Sequence, residues 1–189
     1  AAPIVPANSC ELWTPPLYVT RVRDALGGSI SLDPFSCVDA NRTVRASRFF
    51  AKGDAAFKKS WRANAAFINP PSERRFLNRI PKKFLREWHG GNIKQAIILL
   101  DLPPKGFCYS VLAPRADAIC WTNHPIKFRT PSGQPQTSGA KQAFLYFGPD
   151  PAIFRQVFAG VGKVRVTKQP PLKPRAKKPR RRQPARRSK

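Results

Sequence analysis

Apolar positions recur with two different periods along most of the chain, and the switches between them mark out the elements. Leu17, Val19, Val22, Ala25 and Leu26 fall on one side of a helix. Thr14 suits its N-cap, Pro15 its first position and Gly27 its stop. Residues 29–32 read as a short strand that ends at Asp33-Pro34, where proline closes the ladder. Residues 40–47 suit a helical turn or two, 48–50 a short strand and 54–61 a short helix. Residues 65–68 form the next strand, stopped by Asn69-Pro70-Pro71. From 73 to 88 the residues Phe76, Leu77, Ile80, Phe84, Leu85 and Trp88 predict a helix that Pro81 kinks or divides.

The clearest buried strand is 97–101, a near-continuous apolar run of the kind found in parallel sheets. Residues 107–112 suit a short helix, 118–121 and 126–128 strands, and 129–140 a polar Gly- and Pro-containing loop. A strand at 143–147, a helix at 151–159 and an edge strand at 164–166 complete the pattern. Strands alternating with helices predict an α/β domain in three layers.

Composition changes sharply near the end. The chain has 189 residues and a formal net charge of +25. Residues 163–189 hold thirteen Lys or Arg, five Pro and no acid, the signature of a disordered-type tail. The expected organisation is an extension at 1–10, one domain at 11–162 and a basic tail at 163–189. The rest of the chain is basic too, so the charge predicts a polyanionic partner, most simply nucleic acid. Prolines at 170, 171, 174, 179 and 184 exclude an amphipathic membrane helix in the tail. No run of 18 apolar residues exists, and residues 1–6 lack the pattern of a signal peptide. Cys10, Cys37, Cys108 and Cys120 are scattered, with only His89 and His124 beside them. That spacing seeds no zinc site and suits core thiols in a reducing intracellular compartment.

Two strand ends carry candidate chemistry. The exocyclic amine of adenine is a poor nucleophile, because its lone pair is delocalised into the ring. Methyl transfer to it needs acceptors for its N–H bonds and in-line placement. The Asn69 side chain and the Pro70 carbonyl can accept both protons, and Pro70 and Pro71 stiffen the backbone that aims them. The same tripeptide also serves as a plain strand stop. Asp33-Pro34 ends an earlier strand, where open α/β sheets bind ligands. A carboxylate there could meet a positively charged cofactor, or simply hold a turn. Asp54 and Asp101 could hold ribose or act as solvated caps. Arg74, Arg75, Arg79, Lys82, Lys83 and Arg86 follow Asn69 on one helix side, placed to neutralise phosphates beside a base pocket. In the tail, Lys177, Lys178, Arg180, Arg181, Arg182, Arg186 and Arg187 supply further phosphate contacts.

These pieces together resemble the phage- and prophage-type DNA N6-adenine methyltransferase family related to Dam. The matching segments are Trp13-Thr14-Pro15, Leu26-Gly27-Gly28, Leu32-Asp33-Pro34 with Ser36-Cys37, and residues 40–46. Further matches are Arg48-Phe49-Phe50, Trp61, Asn69-Pro70-Pro71, residues 97–100, Ile126-Lys127-Phe128, Tyr146-Phe147-Gly148 and residues 154–160. The resemblance covers roughly residues 11–162. It implies a Rossmann-like fold, S-adenosylmethionine as methyl donor and adenine in DNA as substrate. It also implies cofactor contact around Asp33 and Pro34, and target-amine contact at Asn69, Pro70 and Pro71.

Four departures stand out. Ser72 replaces the expected Tyr or Phe that stacks on the flipped base. Pro125 stands where Arg is usual. The acid-rich stretch after Phe50 is reduced to Lys52-Gly53-Asp54, and the basic tail is additional. An alternative expectation is therefore an inactive methyltransferase-like domain that binds nucleic acid in a large RNA–protein assembly such as an organellar ribosome. The first reading places the chain in host cytoplasm if phage-derived, the second in an organelle matrix.

Overall fold

A computed structural model describes residues 12–51, 53–102 and 106–167. Its helices are α1 (Pro16–Ala25), α2 (Val38–Val44), α3 (Gly53–Lys58), α4 (Arg74–Leu77), α5 (Ile80–His89), α6 (Phe107–Leu112) and α7 (Pro151–Phe158). Its strands are β1 (Ala63–Ile68), β2 (Ile93–Asp101), β3 (Ala118–Thr122), β4 (Phe128–Arg129), β5 (Pro135–Gln136), β6 (Gln142–Phe147) and β7 (Gly162–Val166).

The main sheet has the order β1-β2-β6-β3-β7. β1 and β2 are parallel, with Ala66 opposite Ala96 and Ile68 opposite Ile98. β6 runs antiparallel to both its neighbours, β2 and β3, and β7 runs antiparallel to β3. β2 is therefore parallel to one neighbour and antiparallel to the other. Its unbroken apolar run reflects burial on both faces, not a wholly parallel sheet.

Successive strand residues point to opposite faces and feed two cores. One holds Ala66, Ile68, Ile98 and Leu100 against Ala56 of α3, Ile80 and Phe84 of α5, and Leu112 of α6. The other holds Ala65, Phe67, Ile97 and Leu99 against Val19 and Val22 of α1, Val44 of α2, and Phe154 and Phe158 of α7. The result is a mixed α/β fold in three layers.

The first expected strand is reduced to its end. Leu32 makes a parallel bridge to Ala66, and Asp33 makes one to Phe49. Just before them, the Ser31 hydroxyl donates to the Ala65 carbonyl and accepts the Ala65 N–H, both at 2.8 Å, so a side chain adds to the backbone bond from the Ser31 N–H to the same carbonyl. The short strand expected at 48–50 is likewise a single bridge at Phe49.

Other boundaries shift for local reasons. Thr14 makes no side-chain cap on α1, which starts at Pro16. α2 stops at Val44 because Arg45 turns left-handed at φ 54°, and Asn41 closes the turn by bonding both backbone groups of Ala46. Pro81 sits in the first turn of α5, and the predicted long helix is divided into α4 and α5. Part of the expected 129–140 loop pairs instead, with Phe128 opposite Gln136 and Arg129 opposite Pro135. Ile126 lies outside that hairpin and donates its N–H to the Gln142 side chain.

The sheet also continues beyond residue 162. Lys163 and Arg165, grouped by composition with the tail, belong to β7 and pair with Trp121 and Ile119. A Cβ on Gly162 would collide with the Trp121 carbonyl, so glycine admits this close approach. The extension at 1–10 and the tail residues Lys177, Lys178, Arg180, Arg181, Arg182, Arg186 and Arg187 lie outside the described residues. Among the described residues no helix is long and apolar enough to cross a membrane.

Candidate functional site

Asp33 and Asn69 leave the sheet from neighbouring parallel segments. Leu32 sits between the two, bridged to Ala66, with the Phe67 N–H donating to the Leu32 carbonyl at 2.9 Å. After Asp33 the chain passes to the Phe49 side. After β1 it passes to β2 on the other side. Strand order reverses between them, and in open α/β sheets the crevice at such a reversal is where ligands bind.

Asn69 is half-buried and Pro70 buried, while Pro71 is half-buried and Ser72 exposed. The Asn69 Nδ2 donates to the Thr14 Oγ1 at 3.1 Å. No protein donor meets Asn69 Oδ1 or the Pro70 carbonyl among the described residues. Two acceptors thus stand free on adjacent residues at the carboxyl end of β1. The sequence suits Thr14 to a helix cap, and nothing in the spacing signals its contact with a residue 55 positions away.

Asp33 is buried at 3% exposure, and Pro34 is buried beside it. Asp33 Oδ1 accepts the Phe35 N–H at 3.0 Å, so it holds the turn that ends its strand. Burial raises its carboxyl to about 7, against the smaller opposing effects of the Phe35 N–H and the Ser36 side chain. Asp54 belongs to α3, but its side chain lies outside the described residues. Asp101 is spent on structure: its Oδ1 accepts from Gln142 Nε2 at 2.7 Å and from Ser138 Oγ at 3.1 Å.

The rings nearest the crevice in sequence are already engaged. Phe35 packs on Phe57 at 5.6 Å and edge-on against Trp61 at 5.8 Å. Phe76 stacks on Phe57 at 6.1 Å. Both are buried, so neither takes the place of the ring expected at Ser72. Arginines cover the outside of this stack. The Arg75 guanidinium lies 4.5 Å from the Phe76 centroid, and that of Arg79 lies 3.9 Å from Phe57. Such contacts hold a cation in place against a ring.

The basic helix side divides accordingly. Arg74, Lys82 and Arg86 are exposed, and Arg75 pairs with Glu73 at 2.7 Å. Lys83 does not belong to that surface. Its Nζ is buried, donating to Glu87 Oε1 at 2.6 Å and to the Lys59 carbonyl at 2.7 Å. Pro81 explains the difference, because the helix restarts there and turns Lys83 toward α3 and Trp61.

A separate recess of about 410 Å³ lies at the opposite, amino end of β1 and β2, lined by Ser31, Arg62, Asn64, Gly91, Asn92 and Lys94. Its lining includes neither Asp33 nor Asn69, although Ser31 lies two residues before Asp33. Among the described residues no cluster of three or more His, Cys, Asp or Glu could hold a metal ion. No protein-family model matches the chain, and no curated protein matches it.

Proposed function

We propose that this chain has a Rossmann-like methyltransferase fold and transfers a methyl group from S-adenosylmethionine to the N6 amine of adenine in DNA. One observation carries this reading: among the described residues, Asn69 Oδ1 and the Pro70 carbonyl stand without protein donors at the carboxyl end of β1, across a strand-order reversal from Asp33. Two acceptors held by consecutive backbone units match the two N–H bonds of an exocyclic amine. They draw charge toward nitrogen as its lone pair leaves conjugation, and they hold it in line for attack.

S-adenosylmethionine supplies a methyl group on a positively charged sulfur. With that donor bound, Asn69 Oδ1 and the Pro70 carbonyl would hold the amine in line with the methyl; the sulfur would leave as a neutral thioether and the surplus amine proton would pass to water. The residues present fit the cofactor at one point. Asp33 is a buried carboxyl that meets no cation among the described residues, and burial raises it to about 7. A cationic head group at the crevice supplies the missing partner and favours the carboxylate. Pro34 fixes the backbone direction at that residue, and Asp54 on α3 is the further candidate for the cofactor. Arg74, Lys82 and Arg86 hold phosphates of the DNA, with Arg75 and Arg79 braced on aromatic rings beside them.

Ser72 favours a second reading. With no ring at that position, and with Phe35 and Phe76 occupied, the chain binds nucleic acid without transferring methyl, as a component of an RNA–protein assembly. Tritiated methyl transfer to unmodified adenine-containing DNA separates the two. Transfer by the parent and its loss in Asn69→Ala support the enzyme. No transfer and no cofactor binding leave the structural role.

A further inference from the structure

We infer that Thr14 is the residue that orients Asn69 for transfer, by taking the amide hydrogen that must point inward when the amide oxygen points to the acceptor amine. This rests on the methyl-transfer reading above.

An asparagine amide is nearly symmetric in shape but opposite in function at its two ends. With Oδ1 outward it accepts an N–H of the amine. With Nδ2 outward it sets donor against donor and repels the same group. The outward oxygen requires Nδ2 to find an acceptor on the protein side. Thr14 is 5% exposed, and its Oγ1 lies 3.1 Å from Nδ2. No other acceptor meets Nδ2 among the described residues.

Thr14 is also well fixed. It is flanked by Trp13, whose N–H and carbonyl pair with Arg129 at 2.7 and 3.0 Å, and by Pro15, which precedes α1. The hydroxyl is thus delivered by a segment anchored on both sides, and not by a free loop. This gives Thr14 a purpose that helix capping does not, since it makes no cap bond. Its role here runs through Asn69, so it is a positioning residue.

Removing the acceptor leaves a half-buried N–H unpaired, a loss that corresponds to roughly ten- to a hundredfold in a rate that needs this orientation. The test compares the parent with Thr14→Val, Thr14→Ala and Thr14→Ser in the full chain. The assays are methyl transfer to adenine-containing DNA, cofactor affinity, and the Asn69 side-chain amide signals in a nitrogen-15 spectrum. The expected result is kcat reduced about ten- to a hundredfold in Val and Ala, with cofactor affinity unchanged, and Ser restoring most of the rate. The Asn69 amide signals shift in Val and Ala and return in Ser. Ala serves if Val does not fold, because it removes the hydroxyl without adding a methyl group. Parent-like transfer and parent-like Asn69 signals in either variant overturn the role of Thr14 while leaving methyl transfer standing. Equal losses in Ser and Val also overturn it. A parent that transfers no methyl group overturns the reading beneath it, and the positioning role with it.

Discussion

Lys83 and Glu87 meet at 2.6 Å inside the protein, one turn apart on α5, with side chains only 5% and 7% exposed. Burial pushes the Glu87 carboxyl up, but the hydrogen bonds from Lys83 and Asn92 more than offset this, and the group stays below its ordinary range. The Lys83 ammonium has the Lys59 carbonyl as its second partner. Lys83→Met therefore strands a buried carboxylate and costs about 3–5 kcal/mol in denaturant unfolding. Replacing both partners by apolar residues of similar volume recovers most of that loss, because the uncompensated charge is what costs. Equal destabilisation by the single and double variants would contradict this.

The exposed cations behave differently. Replacing Arg74, Lys82 and Arg86 by Gln leaves stability within about 0.5 kcal/mol for each, since all three are exposed and only Arg86 approaches a buried group, Glu87, at the long distance of 3.9 Å. If these residues neutralise phosphates, the slope of log affinity against log salt for duplex DNA falls by about 0.9 for each phosphate left unneutralised. An unchanged slope in the triple variant removes this face from the interface.

Asp33 gives a pH signature. Its ordinary value is 3.8, and burial raises it to about 7 in the folded chain. Between those values the unfolded chain has lost the proton and the folded chain retains it. Stability contributed by Asp33 is therefore full below 3.8, falls as pH rises through this window, and is flat above about 7. Asp33→Asn still accepts the Phe35 N–H but does not ionise. The difference between the two stability curves isolates Asp33 from the other buried acid among the described residues, Glu87. A flat difference between about pH 4 and pH 7 would show that Asp33 is already ionised. Under the enzyme reading, cofactor affinity rises with pH over the same range in the parent and not in Asp33→Asn.

The parts of the fold that could be read from the chain are those where burial writes itself into the residue pattern. Residues 65–68 and 97–101 are apolar nearly throughout because helices cover both faces, and the break at Pro81 follows from a missing N–H and a ring clash. The strand leading to Asp33 was legible in position but not in extent, because the Ala65 N–H bonds the Ser31 hydroxyl in place of a backbone carbonyl. Strand direction elsewhere was not legible, since β6 carries the same apolar run as a parallel strand would. At the candidate site, Asn69 was legible from its proline neighbours. Thr14 and Lys83 were not, because each is defined by a partner distant in sequence or by the helix phase after Pro81.

Where the folded domain ends is also testable. Thr167 donates its N–H to the Asp117 carbonyl at 2.8 Å, and β7 before it pairs with β3 from Gly162 to Val166. Truncation after Thr167 leaves the thermal midpoint within a degree or two of the parent. Truncation after Gly162 removes most of β7, exposes the edge of β3 and lowers the midpoint by several degrees, because backbone groups there lose their partners. Equal midpoints would show that β7 adds nothing to the domain. The first truncation also removes the tail cations while keeping the sheet. Its salt slope thus measures the tail without a folding artefact.

Ser72 offers the sharpest separation of the two functional readings. It follows Pro71 directly and is exposed, so a larger side chain meets no packed core there. A tyrosine at this position stands next to the two acceptors of Asn69 and Pro70, where an extruded base would lie. Stacking of a base on an aromatic side chain contributes about 1–3 kcal/mol. In an active enzyme, Ser72→Tyr therefore raises affinity for DNA carrying an unpaired adenine by roughly ten- to a hundredfold, with kcat unchanged or increased. Fluorescence of 2-aminopurine at the target position reports the stacking directly, as quenching that appears only with the tyrosine variant. In a chain that binds nucleic acid through its backbone alone, the same substitution changes neither affinity nor fluorescence. That result would place the interaction on the cations of α4 and α5 and leave the acceptors beside Ser72 without a base to hold.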